Sequence, residues 1–186
     1  MLIGKNVTLR PVTLADQKIL VDWFNDPEFL GPHDNHWTSS LEELERDHQQ
    51  YQKKKESHSY MIIERASGEP LGEIGYFRRF ADPDYQHQEI GYAIHPAQRG
   101  RGIASQAACI LVNHLFDATA INRIQATVVV GNQASCRVLE HAGMTQEGVL
   151  RGIMFVRGRF ADMHMYSILR LDWCDEAAYR RARPEF

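Results

Sequence analysis

Alternation of apolar and polar residues divides most of the chain into short predicted strands. The stretches with this pattern, or with many β-branched and aromatic residues, are residues 2–10, 59–65, 71–80, 88–94, 123–130, 145–156 and 160–171. Apolar residues spaced three to four apart predict helices at residues 13–24, 41–51, 104–116 and 133–141. Short turns between most strands predict antiparallel pairing, whereas the helix at 104–116 predicts a right-handed crossover between parallel strands. The pattern predicts an α+β fold with a mixed, mostly antiparallel sheet of about six or seven strands.

Length and composition predict one globular domain over residues 1–186, with a polar C-terminal tail at 172–186. Apolar side chains make up 44% of the 186 residues and the formal net charge is −3, so no basic field favours nucleic acid. No apolar run approaches a membrane span, and no signal-peptide core precedes the first strand. The three cysteines form no C-x-x-C motif. We expect a cytoplasmic monomer or homodimer with reduced thiols and no metal, nucleic-acid or membrane partner.

A basic turn that contains glycine separates predicted strand 88–94 from the helix after it. Its residues are Arg99, Gly100, Arg101, Gly102, Ile103 and Ala104. A helix N-terminus offers unpaired N–H groups, glycine permits close backbone approach, and arginine adds positive charge, so the turn is suited to a pyrophosphate. A dinucleotide-binding loop would have a third glycine where Gln106 stands, and a Walker loop would end in Gly-Lys-Ser or Gly-Lys-Thr. Taken alone, the hexapeptide is equally compatible with a simple glycine turn.

A second segment, residues 131–144, gives the turn its context. The first segment fits the pattern [RQ]-x-x-G-x-[GA] at Arg99, Gly102 and Ala104. The second fits N-x-x-S-x₇-G-[FM] at Asn132, Ser135, Gly143 and Met144. Together they resemble the GNAT superfamily of N-acetyltransferases, especially its Rim-type branch, which includes ribosomal-protein N-terminal acetyltransferases. The resemblance runs in order over nearly the whole chain, and it implies a twisted sheet with helices on both faces and a splayed central pair of parallel strands.

The resemblance also implies acetyl-CoA as co-substrate. In this superfamily the splayed strands free backbone N–H groups, here within residues 93–95, for the pantetheine arm and for the acetyl oxygen, where negative charge develops. The implied contacts are Ile94 and His95 through their backbone, Arg99, Gly100, Arg101, Gly102, Ile103 and Ala104 around the pyrophosphate, and Asn132 on the pantetheine arm.

Two residues are candidates for the chemistry. An alkylamine is mostly protonated at neutral pH, so a base assists its attack. Glu89 matches the catalytic glutamate of the histone-acetyltransferase branch and is the candidate base. Ser135 matches the Rim-type serine that lies near the CoA sulfur. Leu139 stands where many GNAT enzymes carry a tyrosine that serves as the general acid, and Met154 stands where the ribosomal-protein branch can carry a glutamate.

Fewer residues of the sequence point to the site that binds the acceptor amine. His33, His36 and Trp37 follow the first predicted helix, in a segment that borders the acceptor site in GNAT-like folds. No cysteine or third ligand accompanies the two histidines, so a polar loop is favoured over a metal site.

These observations predict an acetyl-CoA-dependent N-acetyltransferase in which a primary amine attacks the thioester directly within a ternary complex. The acceptor classes that stay open are a protein N-terminus, a polyamine, an aminoglycoside-like antibiotic and an amino sugar. Two alternatives also stay open: transfer of a longer acyl group, and a non-catalytic CoA-binding GNAT domain that regulates or scaffolds.

Overall fold

The computed structural model describes residues 1–34, 38, 40–46, 57–77 and 87–174. Its strands form one sheet in the order β1-β2-β3-β4-β5-β6-β8-β7. Their bounds are β1 Leu2–Ile3, β2 Val7–Pro11, β3 Ser57–Glu64, β4 Pro70–Phe77, β5 His87–Ile94, β6 Arg123–Val129, β7 Thr145–Val156 and β8 Arg159–Leu169. Among these described strands, β5 and β6 are the one parallel pair. The predicted mixed, mostly antiparallel sheet is therefore confirmed.

The sheet has eight strands, slightly more than the six or seven predicted. The difference arises at the N-terminus, where the predicted strand 2–10 is broken into β1 and β2. The N–H of Gly4 donates to the carbonyl of Val7 at 2.9 Å and turns the chain back. The side-chain oxygen of Gln106 then accepts the N–H groups of Asn6 and Val7 at 2.8 and 2.9 Å. This long-range contact stabilises the turn, and local alternation of residues does not reveal it.

Helices cover both faces of the sheet, as the resemblance implied. Their bounds are α1 Gln17–Phe24, α2 Pro27–Leu30, α3 at residues 41–46, α4 Ile103–Ala118, α5 Gln133–His141 and α6 Arg170–Cys174, with 3₁₀ turns at Leu14–Asp16 and Pro96–Gln98. Helix α4 packs on one face, and α1 packs on the other against Met61 and Ile63 of β3. We call the α1 side of the sheet the acceptor face. Among the described residues, no helix is long and apolar enough to cross a membrane.

The main core lies between α4 and the sheet. Ala107 and Ala108 are fully buried, and their small side chains let α4 approach the strands closely. Leu111 and Leu115 pack in the same cluster as Ile74 and the neighbouring strand residues. Burial of each such leucine contributes about 1.5–3 kcal/mol, so α4 and the central strands hold each other in register.

The predicted tail begins as a packed helix. Trp173 of α6 packs 5.4 Å from the ring of Phe116, centroid to centroid, and its indole N–H donates to the side-chain oxygen of Asn113 at 3.1 Å. Residues 175–186 lie outside the described part of the chain. The assignment of 1–186 to a single domain therefore stays a prediction.

An ion pair fixes the chain between β2 and α1. Arg10 donates two hydrogen bonds of 2.8 Å to the two carboxylate oxygens of Asp16. Asp16 also accepts from the N–H and the hydroxyl of Thr13, at 2.8 and 2.6 Å, in the arrangement of a capping box. Asp16 is only 6% exposed, and the hydrogen bonds from Arg10 lower the pKa of its carboxyl well below the usual range. The pair therefore holds α1 on the acceptor face.

We predict that Asp16→Asn destabilises the fold by about 2 kcal/mol at pH 7, because it replaces charge-assisted hydrogen bonds with neutral ones. A carboxyl whose pKa is lowered by folding contributes stability above its unfolded pKa of about 3.9, and that contribution is lost as the pH falls through the folded value. The gap between wild type and variant should therefore be full near pH 7 and narrow as the solution is made strongly acidic. Urea unfolding across pH measures it, with exposed Asp22→Asn as control. An equal gap at all pH values would contradict the assignment.

Candidate active site

The two parallel strands stay paired over only three residues. The register joins His87 to Arg123, Gln88 to Ile124 and Glu89 to Gln125, and the pairing ends there. Beyond that point β5 remains paired with β4 as far as Ile94, and β6 remains paired with β8 as far as Val129. Because each strand is held on its outer side, a wedge opens between residues 90–94 and residues 126–129. We call this wedge the strand gap, and it confirms the predicted splayed pair.

The backbone of β5 decides which N–H groups face the strand gap. The N–H of His95 donates to the carbonyl of Leu71 at 2.9 Å, on the β4 side. Successive residues of a strand point their N–H groups to opposite sides, so Ala93 shares the direction of His95 while Tyr92 and Ile94 face the gap. The expected backbone contact through Ile94 fits this geometry. The expected contact through the N–H of His95 does not, because that group is already bonded within the sheet, and the freed N–H groups are those of alternate residues.

The glycine turn has the backbone geometry of an anion site. Gly100 and Gly102 both have positive φ, 76° and 72°, which L side chains rarely adopt. A Cβ built on either one would meet no described atom within 4 Å, so space lies in front of the turn. Gly102 is the N-cap residue of α4, whose first-turn N–H groups point into that space. Ile103 packs into the core with 6% of its surface exposed, and both Ile103 and Ala104 border the space.

Both arginines of the turn bind protein groups. Arg99 donates from Nε to the carbonyl of Ile94 at 3.1 Å, and from Nη2 to the carbonyls of Glu28 and Phe29 at 3.1 and 2.6 Å. Arg101 donates to Gln98 and forms an ion pair with Glu64 at 2.6 Å. Arg99 thus connects the turn to α2 while it also lines the open space in front of the turn.

Helix α5 presents its N-terminus to the same gap. The side-chain oxygen of Asn132 accepts the N–H of Ser135 at 3.1 Å and caps the helix. Tyr92 of β5 reaches across the gap and donates its hydroxyl to the carbonyl of Ser135 at 3.2 Å. Burial raises the pKa of the Tyr92 hydroxyl, so this group is suited to donating a hydrogen bond. Sequence reasoning missed Tyr92, because its phenol meets α5 only in the folded chain.

One cleft of about 830 Å³ joins these features, and we call it the donor–acceptor cleft. It runs from the turn at residues 98–105, past Tyr92 and Ile94, to the start of α5 at residues 131–138. Its other wall is formed by α2, including Phe29, and by the segment that follows it, including His33. Such a volume lies in the range of small-molecule and cofactor sites.

The predicted acceptor residues are only partly described. His33 lines the cleft, and its ring lies beside Gly131, since a Cβ on that glycine would be 4.0 Å from Cε1 of the histidine. His36 and Trp37 lie outside the described residues. His95 does not reach the cleft wall, and its ring packs instead against Trp23 and Phe29, at centroid distances of 5.6 and 6.5 Å. Within the described residues, no group of three or more His, Cys, Asp or Glu could hold a metal ion.

Glu89 lies where the strand gap begins. It is 3% exposed and accepts hydrogen bonds from Gln125 at 3.2 Å and from Thr127 at 3.0 Å. It therefore bridges β5 and β6 at the point where they part, and it is not among the described residues that line the cleft. Its role as general base stays a prediction, and it has a structural alternative, the closure of the base of the gap.

Glu73 of β4 is a carboxylate that sequence reasoning missed. It lines the cleft and is the cross-strand neighbour of Ala93 on β5 and of Met61 on β3. Burial raises the pKa of its carboxyl, and a hydrogen bond to Ser59 opposes that rise only in part. The sequence around Glu73 reads as an ordinary alternating strand, so no local signal marks it.

The sequence departs from the family pattern at two positions, and the structure shows where these two side chains lie. Leu139, at the position of the usual tyrosine, is fully buried in the core and cannot act as an acid. Met154 lies on β7 opposite Ala161, and it is not among the described residues that line the cleft.

Comparison with known proteins agrees with this architecture. The family model described as "Acetyltransferase (GNAT) domain" matches residues 6–145. A protein named Uncharacterized N-acetyltransferase p20, from Bacillus licheniformis, is 27% identical over 177 residues, which cover 92% of this chain and 97% of that protein. The putative ribosomal N-acetyltransferase YdaF of Bacillus subtilis (strain 168) is 35% identical over 85 residues, 46% of each protein. The crystal structure of spermidine N-acetyltransferase from Vibrio cholerae, in complex with CoA and spermine, superposes with a TM-score of 0.82 at 19% identity, covering 91% of this chain and 99% of that one.

The chain therefore belongs to the GNAT family of acetyltransferases. It is an N-acetyltransferase whose acyl donor is acetyl-CoA. The predicted family, fold, enzyme class and donor are confirmed, and the non-catalytic alternative is not favoured.

We predict that Gly102→Val weakens CoA binding by at least tenfold, because it places a branched side chain in front of the turn and strains a residue at φ 72°. Gly68→Val is a matched control, since Gly68 has φ 78°, equally open surroundings and a position in the β3–β4 turn, outside the described residues that line the cleft. Calorimetric titration with CoA measures both affinities. If the folded Gly102→Val protein binds CoA as tightly as the Gly68→Val protein does, the pyrophosphate lies elsewhere.

Proposed function

We propose that this protein transfers the acetyl group of acetyl-CoA to a primary amine by direct attack, with both substrates bound together. The observation that carries the proposal is the continuity of the donor–acceptor cleft. It connects the glycine turn and the α5 N-terminus to the segment after α2 without an intervening wall. Two substrates that enter from opposite ends would meet at the strand gap, where alternate N–H groups of β5 point inward.

The donor side is assigned by its hydrogen-bond donors. The backbone N–H groups of the turn and of the first turn of α4 hold the pyrophosphate, and Asn132 contacts the pantetheine arm. The N–H groups of Tyr92 and Ile94 extend the donor strip along the gap, and one of them stabilises the negative charge that develops on the acetyl oxygen. Bound acetyl-CoA supplies an activated thioester. Ser135 lines the cleft beside these groups, and its hydroxyl lies near the sulfur position and assists departure of the thiol.

The acceptor is a primary amine that enters along the acceptor face, past His33. The neighbour from Vibrio cholerae is a spermidine acetyltransferase, and YdaF is named as a putative ribosomal acetyltransferase. Polyamines and protein N-termini are therefore the first acceptor classes to test. We also propose a cytoplasmic location, which the three free thiols of the described chain favour, and a monomeric or homodimeric state.

The experiment is an assay of CoA release against a panel of amines that contains spermidine, ribosomal-protein N-terminal peptides, an aminoglycoside and an amino sugar. We expect amine-dependent turnover with at least one class and a matching mass increase of one acetyl group. CoA release that never depends on the amine would contradict the proposal. Acetyl-CoA and a longer acyl-CoA should be compared with the same acceptor.

Ser135→Ala sharpens the assay. If the hydroxyl acts at the sulfur, the variant should lose kcat while CoA affinity is kept. Wild-type kcat in Ser135→Ala would leave Ser135 with a structural part in α5 alone.

A further inference from the structure

The acceptor end of the cleft contains a partly buried acid, Glu73, that the proposed function has not yet used. Glu73 of β4 and Ala93 of β5 lie directly opposite each other in the antiparallel pair. They form a hydrogen-bonded pair, in which the two Cα atoms lie about 5.5 Å apart. Ala93 stands between Tyr92 and Ile94, whose N–H groups face the strand gap. Glu73 therefore lies one strand spacing from the residues that carry the oxyanion donors, and closer to them than Glu89 does. Glu89 lies four residues back along β5, about 13 Å from Ala93.

The surface beside Glu73 has room for a ligand. On the acceptor face, the next cross-strand pair along β4 and β5 is Gly75 with Gly91. Gly91 is exposed, and the nearest atom to a Cβ built on it would be Cε1 of Phe77, at 3.9 Å. The space in front of Gly75 is taken by Ser59, whose Oγ would lie 3.0 Å from a Cβ there, whereas Gly91 leaves open space on the β5 side of the carboxyl group. An amine can lie over Gly91 within reach of both Glu73 and the gap.

We propose that Glu73 is the catalytic base that binds the acceptor's ammonium group and accepts its proton. The inference rests on the proposed acetyl transfer and assigns its acceptor class, a cationic primary amine. Ser59 of β3 bonds to the carboxyl and holds its orientation toward the cleft.

The proton balance is complete. The ammonium group gives one proton to the Glu73 carboxylate and becomes a neutral amine with a free electron pair. Its nitrogen forms the new C–N bond to the acetyl carbon as the C–S bond breaks. The second N–H proton leaves with the sulfur, so the products are the acetamide and the CoA thiol, and Glu73 later releases its proton to solvent.

The electrostatic setting favours this role. Desolvation raises the pKa of Glu73, which makes its carboxylate a stronger base than an exposed glutamate. The charged or titratable side chains that line the same cleft among the described residues are His33, Asp34, Tyr92, Arg99 and Arg137. On β3 the residue directly opposite Glu73 is the neutral Met61, and Ser59, at the next pair on that face, is the neutral hydrogen-bond partner of the carboxyl group. On β5 the nearest carboxylate on that face is Glu89. The carboxylate form is active, so kcat/KM should rise with pH through a pKa above the ordinary glutamate value of about 4.3.

The test compares pH profiles of kcat/KM for wild type and Glu73→Gln, with the best amine from the panel. General-base assistance is typically worth about 10²–10⁴-fold, so the variant should lose that factor at neutral pH. Its profile should also lose the acid limb, whereas CoA affinity stays the same. Glu69→Gln, in the exposed turn before β4, is the matched control and should keep both rate and limb.

Unfolding measured across pH shows whether the Glu73→Gln protein is folded and whether folding raises the pKa of Glu73 in the wild type. A raised pKa in the folded state adds stability that is full below the unfolded pKa and is lost as pH rises through the folded value. Wild type should therefore lose stability over that window, and Glu73→Gln should not.

Several outcomes overturn the proposal. An acid limb that persists in folded Glu73→Gln excludes Glu73 as the base. If Glu89→Gln removes the limb instead, the base is Glu89, as the sequence predicted. A higher KM with unchanged kcat in Glu73→Gln reduces Glu73 to a cation-binding group. Wild-type protein that turns over no amine sinks the proposed function itself, and CoA titration distinguishes that result from a failure of Glu73 alone.

Discussion

The structure depends on the end of pairing between β5 and β6 after Glu89 and Gln125. Each strand continues, because β4 holds the outer edge of β5 and β8 holds the outer edge of β6. Backbone N–H and C=O groups inside a sheet are normally hydrogen-bonded to a neighbouring strand. Here alternate N–H groups of β5 face a cleft instead. Glu89, held by Gln125 and Thr127, closes the wedge at its base. The gap is a consequence of strand geometry, and it supplies hydrogen-bond donors without requiring any particular side chain.

The two walls of the cleft are connected to each other. Arg99 joins the carbonyl of Ile94, at the end of β5, to the carbonyls of Glu28 and Phe29 in α2. The rings of Trp23, Phe29 and His95 pack together over the same junction. Donor turn and acceptor wall are therefore parts of one packed unit. A substitution at Arg99 would therefore disturb both the glycine turn and the wall formed by α2.

Local sequence determines some of these features and is silent on others. Gly102 was predictable, because a positive-φ N-cap glycine after a strand is a local requirement, and the Asn132 cap was predictable for the same reason. The hydrogen bond from the His95 N–H to Leu71 was not predictable, because the register between β4 and β5 decides which N–H groups of β5 face the strand gap. The phosphate contact of Arg99 stays a prediction, and its bonds to Glu28 and Phe29, about seventy residues away in the chain, could not be predicted from local sequence. Glu73 carried no signal, since its environment is made by β3 and β5 together.

The most direct test of the central claim is amide hydrogen exchange, measured by NMR at single residues with and without acetyl-CoA. Our account places the N–H groups of Tyr92 and Ile94 in the strand gap and those of Ala93 and His95 in bonds to β4. We predict that acetyl-CoA markedly slows exchange at Ile94, while His95 is already protected in the free protein. Saturating acetyl-CoA that leaves exchange at both Tyr92 and Ile94 unchanged would contradict the claim that the donor binds in the gap.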